Sequence, residues 1–196
     1  MKIALLAPAG AMHRHNGLFA RSLHYAPLTL TTLAGLVPPE LEAEIEIYDE
    51  TVEPIPTDLD ADLIGITTIT GTSVRCYRWA DHYRSRGATV VLGGVHTTLM
   101  PDEASAHANA VVVGHAEQSW PELLRDYRRG SLRPVYREGP DFRLDGRPDP
   151  RRDLLKRSRY VTANSVEASR GCAHRCTFCV VPAMNGNRVL DRRAHV

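Results

Sequence analysis

Short apolar runs separated by helix-forming stretches constrain this chain more than any other feature. Ile3–Ala7, Leu63–Thr68, Thr89–Leu92 and Ala110–Val113 are continuous and β-rich, as expected of strands buried on both faces of a parallel sheet. Glu44–Tyr48 alternates, with Ile45 and Ile47 on one side, and reads as an edge strand with one wet face. Between the runs lie three helices. Pro27–Pro39 has proline near its start, Leu30, Leu33 and Leu36 on one stripe and a proline pair as its stop. Val74–Arg86 and Glu117–Arg129 each end at a glycine. The spacing predicts an α/β fold, a flavodoxin- or Rossmann-like doubly wound parallel sheet of five strands over residues 1–133.

Beyond Arg133 the pattern dissolves. Residues 134–160 read as a linker rich in Arg, Asp, Gly and Pro, with Val135–Arg137 and Phe142–Leu144 as a candidate small hairpin. Residues 161–196 begin again with a strand, Ser165–Ser169, that runs straight into Arg170-Gly171-Cys172. Charge divides the chain near the same place. Residues 1–124 carry 7 Lys/Arg against 15 Asp/Glu, and residues 125–196 carry 17 against 8. The basic half has too few clustered aromatics for a nucleic-acid stacking platform, so it is expected to pack on something acidic, such as the first domain. With 43% hydrophobic and 24% charged residues and no apolar stretch of membrane-spanning length, a disordered or membrane-spanning chain is excluded and a cytosolic one expected.

Four cysteines divide into one and three. Cys76 stands alone on a predicted helix and reads as a small buried hydrophobe. Cys172, Cys176 and Cys179 form a C-x3-C-x2-C cluster within eight residues, which in a cytosolic chain points to metal rather than disulfides. Three thiolates leave one iron of a [4Fe–4S] cube without a protein ligand, free to bind a small molecule. The competing reading is zinc completed by His174 or His195, although zinc ligands usually come as two separated pairs.

This cluster, with Phe178 before the last cysteine and Ser169-Arg170-Gly171 before the first, resembles the radical S-adenosylmethionine superfamily. The resemblance implies that Cys172, Cys176 and Cys179 hold a [4Fe–4S] cluster and that S-adenosylmethionine chelates its open iron. An electron from a donor such as flavodoxin or ferredoxin then cleaves the sulfonium to methionine and a 5′-deoxyadenosyl radical. Phe178 would lie beside the adenine.

An open α/β sheet binds its ligand beyond the carboxyl ends of its strands. Those ends are rich in glycine and hydroxyls here, with no dinucleotide fingerprint and no P-loop. The proline-leucine start of the first helix, Asp49-Glu50, the strand Asp62–Thr67, Gly93-Gly94-Val95-His96 and Gly114-His115-Ala116-Glu117 together resemble the cobalamin-binding domain of cobalamin-dependent radical S-adenosylmethionine proteins. The resemblance places cobalamin against Thr67, Thr70, Gly71, Thr72, Gly93, Gly94, His96, Thr97, Gly114 and Glu117. The Asp-x-His-x-x-Gly motif that supplies a histidine to cobalt in many cobalamin domains is absent, so no histidine is expected to ligate cobalt. His115 reads as a loop histidine, and His13 and His15 fall in the loop after the first strand. Trp79, Tyr83 and Trp120 read as packing residues.

Only 17 residues follow Cys179, whereas an eight-unit β/α barrel takes about 250. The expectation is therefore the front of a longer enzyme: a complete cobalamin domain, a linker, and the first strand and cluster loop of a partial β/α barrel, with Val189–Val196 as the first turn of a barrel helix. The implied chemistry is methyl transfer to an unactivated carbon, or a related radical cyclisation or rearrangement. The alternatives are a catalytically incomplete corrinoid-binding module and a zinc-binding nucleic-acid protein.

Overall fold

The computed structural model describes residues 1–10, 25–139, 142, 144 and 146–191. His13, His15 and His195 lie outside them. Six parallel strands form the main sheet: β1 (Lys2–Ala7), β2 (Glu44–Asp49), β3 (Leu63–Thr67), β4 (Thr89–Gly93), β5 (Ala110–Val113) and β6 (Val135–Arg137). Their order is β2-β1-β3-β4-β5-β6, a flavodoxin-like order extended by one strand, with the reversal of direction between β1 and β3.

Strand parity sorts the core into two layers. Ala4, Leu6, Ile64, Ile66, Val90, Leu92, Val111 and Val113 face α2 (Ser73–Ser85), α3 (Val95–Leu99) and α4 (Pro101–Ser105), packing on Cys76, Tyr77, Ala80, Tyr83 and Ala104. Ile3, Leu5, Leu63, Val91, Ala110 and Val112 face α1 (Leu28–Gly35) and α5 (Ser119–Arg128), packing on Leu30, Ala34, Trp120, Leu123 and Leu124. Both faces of the central strands are therefore filled. The Cys76 thiol is fully buried, and burial raises its pKa to about 11, which suits the packing role expected of it. Trp120 and Tyr83 are likewise buried.

The sheet has six strands where five are expected. Val135–Arg137, read as half of a hairpin, instead pairs parallel with β5, Val112 opposite Tyr136. A buried polar clamp fixes it. The Tyr136 hydroxyl donates to Asp126 Oδ2 and accepts the Arg133 backbone N–H, both at 2.9 Å. Asp126, on α5, also receives Arg129 and Arg133. Burial opposes the Asp126 charge, but hydrogen bonds from Arg129, Tyr136 and Arg133 outweigh it and hold the carboxyl below the usual range.

The remaining chain folds back over the α1 side. The Arg151 N–H donates to the Thr31 carbonyl at 2.9 Å, and Tyr25 pairs with Thr162 in an isolated bridge. A strand is found at β7 (Ser169–Gly171) rather than at Ser165–Ser169. It pairs antiparallel with β8 (Val189–Asp191), where a barrel helix is expected. Between them lies α6 (Val181–Asn185). The hairpin closes through Gly171 at φ +103°, where a Cβ would lie 2.0 Å from the Arg188 carbonyl oxygen. That close crossing requires glycine and lets 189–191 lie against β7.

Replacing Tyr136 with Phe keeps the ring but removes both hydroxyl bonds. It should lower the unfolding free energy by about 1–2 kcal/mol in urea titration. An unchanged midpoint would mean that this clamp does not hold the sixth strand.

Candidate functional site

At the carboxyl ends of β3, β4 and β5 a cavity of about 360 Å³ opens between the sheet, α1 and the returning tail. Its floor is Gly65, Ile66, Thr67, Gly93, Gly94 and Gly114, together with Val91 and Val112. One wall is Leu28, Thr29, Thr32, Leu33 and Leu36; the other is Val180, Val181, Met184 and Asn185. Trp120 closes its inner end, with Nε1 donating to the Leu33 carbonyl at 3.1 Å. Gly65 admits that ring, since a Cβ there would meet Trp120 at 3.3 Å and Leu5 at 3.0 Å. At Gly93 a Cβ would meet only Val112, so the bare backbone leaves space in the cavity.

The turns are built on Thr68. Its hydroxyl donates to the Gly93 carbonyl at 2.8 Å and lies 2.7 Å from Thr97 Oγ1. Gly94, at φ +101°, crosses so close that a Cβ would fall 2.6 Å from the Thr68 carbonyl oxygen. Thr98 ties two turns together, its hydroxyl donating to Gly94 O and accepting the Gly114 N–H, both at 2.9 Å.

Of the ten residues assigned to cobalamin from the sequence, Thr67, Gly93, Gly94, Gly114 and Glu117 line this cavity, and five do not. The chain turns at Gly94 and carries His96 to the α2 side, where its ring lies 3.2 Å from Thr70 Oγ1 and 3.4 Å from Glu103 Oε1. Thr97 is fully buried against Thr68. The Thr72 hydroxyl bonds within the turn before α2, donating to the Ile69 carbonyl at 3.2 Å. Thr70 and Gly71 are exposed on that turn.

The polar end of the cavity is a charge cluster that sequence reading did not assemble. Glu117 is buried, with Oε1 accepting from both Arg147 and Arg170, the latter at 2.8 Å. Its Oε2 is buried without a hydrogen-bond partner. Arg170 also grips Glu167 through two bonds, at 2.9 and 2.7 Å, and contacts His115 Nδ1 at 3.0 Å. His115 stacks on Phe142, ring centroids 4.2 Å apart, and Arg147 lies over the same Phe142 ring. Burial, followed by the nearby Arg170 charge, lowers the His115 pKa and favours the neutral ring. No local signal separates His115 from an ordinary loop histidine; its partners come from residues 142 and 170.

The cysteines are placed differently. Cys172 and Cys179 are half-buried and Cys176 is exposed, all as free thiols, and Phe178 is 90% exposed. Among the described residues, no three His, Cys, Asp or Glu side chains converge as a metal ion would require. The loop holds its ligand chemistry without a closed ligand geometry.

Glu138, beside this cluster, has one buried oxygen without a partner, while the other accepts the Gln118 N–H at 3.4 Å. Burial, reinforced by the Glu117 charge, raises its pKa to about 7. The folded state therefore holds this proton more tightly than the unfolded chain does. The stability tied to it is complete below the ordinary glutamate range and is lost as pH rises through 7. Glu138→Gln should flatten the fall in stability between pH 5 and 8 and stabilise the protein at pH 8 by about 1 kcal/mol. Thermal unfolding across pH checks this, and parallel wild-type and variant curves would refute it.

Comparison with known proteins places these features in a family. Residues 33–124 match the B12 binding domain. Bacteriochlorophyllide d C-8(2)-methyltransferase of Chlorobaculum tepidum is 37% identical over 174 residues, covering 84% of this chain and 38% of that protein. The C-12(1)-methyltransferase of the same organism is 31% identical, covering 86% and 40%. This chain thus spans about two fifths of the length of these curated relatives. Among solved structures, the radical S-adenosylmethionine methyltransferase TsrM of Kitasatospora setae, with tryptophan and a S-adenosylmethionine analogue bound, superposes with a TM-score of 0.64. The match covers 98% of this chain and 43% of TsrM at 17% identity, a likeness of fold. None of the described helices is long and apolar enough to cross a membrane. Residues 33–124 are thus a B12-binding domain, and the chain that carries them is similar along most of its length to methyltransferases.

Proposed function

We propose that this chain is the amino-terminal part of a cobalamin-dependent radical S-adenosylmethionine methyltransferase, and that cobalamin binds over the carboxyl ends of β3, β4 and β5. One observation carries the reading: the glycine floor of the cavity lies within the matched B12 segment. A corrin ring is wider than this cavity, so the ring would rest on the rim while one arm of the molecule enters. The residues suit such a guest. Gly93 and Gly94 present backbone, Thr67, Thr29 and Thr32 present hydroxyls, and Leu28, Leu33 and Leu36 present apolar surface. Glu117 Oε2, buried and without a partner, is an acceptor matched to the amide N–H groups that fringe a corrinoid. Cobalamin would supply a cobalt centre for methyl transfer, and a [4Fe–4S] cluster with S-adenosylmethionine would supply one-electron chemistry. The chain's own part is to bind, orient and keep water from the buried arm.

For the cluster the support is chemical. Cys172, Cys176 and Cys179 are free thiols on one short loop beside the cavity wall, the donor set of a cluster with one open iron. Phe178 is exposed beside them and available to an adenine. The partners of such a protein would be cobalamin, S-adenosylmethionine and a reducing donor such as flavodoxin or ferredoxin. A second reading is favoured by the family match, which is to the B12 binding domain: a corrinoid-binding module that performs no radical chemistry by itself.

Anaerobic reconstitution with iron and sulfide separates the two. The cluster reading expects about four irons per chain, falling to near zero when the three cysteines are replaced by alanine. A colourless product, or tightly held zinc, would leave the corrinoid module alone. For cobalamin, Gly93→Leu fills the cavity without demanding a positive φ. It should weaken hydroxocobalamin binding about tenfold or more, read from visible absorption, with the far-ultraviolet circular dichroism unchanged. Undiminished binding would move the corrinoid elsewhere.

A further inference from the structure

Both flanks of the cysteine loop are built into the wall of the cavity. Arg170 stands two residues before Cys172, and Val180 and Val181 directly follow Cys179; all three line the space over Gly93, Gly94 and Gly114. The leading flank is fixed from three sides. Arg170 lies in β7 opposite Leu190, grips Glu167 through two bonds, and joins Glu117 and His115 of the sheet domain at 2.8 and 3.0 Å. Gly171 follows at φ +103°, pressed against the Arg188 carbonyl. The trailing flank enters α6, whose first turn closes from the Met184 N–H to the Val180 carbonyl at 3.1 Å. Between the flanks, residues 173–178 are exposed, and the thiols do not converge.

We propose that Arg170 is a positioning residue that couples occupation of the corrinoid cavity to the geometry of the cysteine loop. A guest in the cavity touches the wall on either side of the loop and so fixes the separation of its two ends. Glu117 transmits this restraint from the sheet, since its one oxygen holds Arg170 and its other awaits a donor from the guest. Coupling of this kind is reciprocal: whatever closes the loop must also tighten the cavity around its guest. The inference rests on the corrinoid reading of the cavity and adds a role for a residue that is neither a cysteine nor on the main sheet.

The test is cysteine alkylation by N-ethylmaleimide, followed residue by residue by mass spectrometry on the full chain, with and without saturating cyanocobalamin. Cys76, fully buried in the sheet domain, is the internal control and stays unreactive in any folded variant. In the wild type, cyanocobalamin should slow alkylation of Cys172 and Cys179 about fivefold or more, with a smaller effect at Cys176. In Arg170→Met the protection should fall below about twofold at saturating cyanocobalamin, while Arg170→Lys should keep part of it. Glu117→Gln, which breaks the same link from the sheet side, should behave like Arg170→Met and decides the matter if that variant exposes Cys76. Binding of cyanocobalamin without protection of either flanking cysteine would overturn the coupling and leave the corrinoid reading intact. Equal protection in wild type, Arg170→Met and Glu117→Gln would also overturn it. No binding, seen as an unperturbed cyanocobalamin spectrum, would bring down the corrinoid reading and the coupling together.

Discussion

Burying both faces of a parallel sheet is the constraint from which the rest follows. Leu5, Leu6, Leu63, Ile64, Val91 and Leu92 alternate between two filled layers, and the helices that fill them leave the sheet no free face. Only the rim at the strand ends remains for a ligand. There the chain gives up side chains: Gly93, Gly94 and Gly114 stand where residues with a Cβ would narrow the space or, at Gly94, collide with Thr68. The site is thus a local interruption of the packing that makes the fold stable. Its walls come from outside the sheet, from α1 on one side and the returning tail on the other.

The tail is held by buried apolar side chains such as Phe142, Leu144 and Leu155 and, at the polar end of the cavity, by charge. Glu117 is buried, and a buried carboxylate is tolerable only when paired; Arg147 and Arg170 both supply that pairing from the basic half of the chain. Lys156 adds an ion pair to Glu53. The step in charge between the two halves of the sequence therefore has a structural use within the molecule. It docks residues beyond the sheet on the acidic domain, over a cavity whose other surfaces are chiefly apolar. Specific placement from ion pairs and area from hydrophobic contact are divided between the two ends of the same space.

How much of this could be read from the residues follows from the range of the interactions. The strands β1 to β5 were legible because a buried strand needs a continuous apolar run, which is local. β6 is legible as a strand, but as half of a hairpin and not as the sixth strand of the sheet, because its place depends on the Asp126–Tyr136 bond to a helix earlier in the chain. The short helices α3 and α4 carry too little periodicity to be read, and β8 reads as a helix start because its pairing with β7, permitted by Gly171, is not local. At the candidate site, Thr67, Gly93, Gly94, Gly114 and Glu117, singled out by their position at strand ends, line the cavity. His96 follows in the same turn, but its ring lies against Thr70 and Glu103 and does not line the cavity. His115 acquires its surroundings only from Phe142 and Arg170, and nothing near it in sequence announces them.

The close passage of the chain across α1 has a kinetic consequence. At Gly35 a Cβ would lie 2.6 Å from the Asp149 carbonyl oxygen, and the Arg151 N–H is bonded to Thr31. The segment lies across the helix like a strap, so α1 cannot swing outward to admit a guest without peeling that segment away. The opposite wall is joined to the sheet domain through the ion pairs of Arg170 and Arg147 with Glu117, so a guest would exchange on that side. Those pairs are largely buried and little screened by salt, so the residence of any guest would be set by how often they open and would depend only weakly on ionic strength.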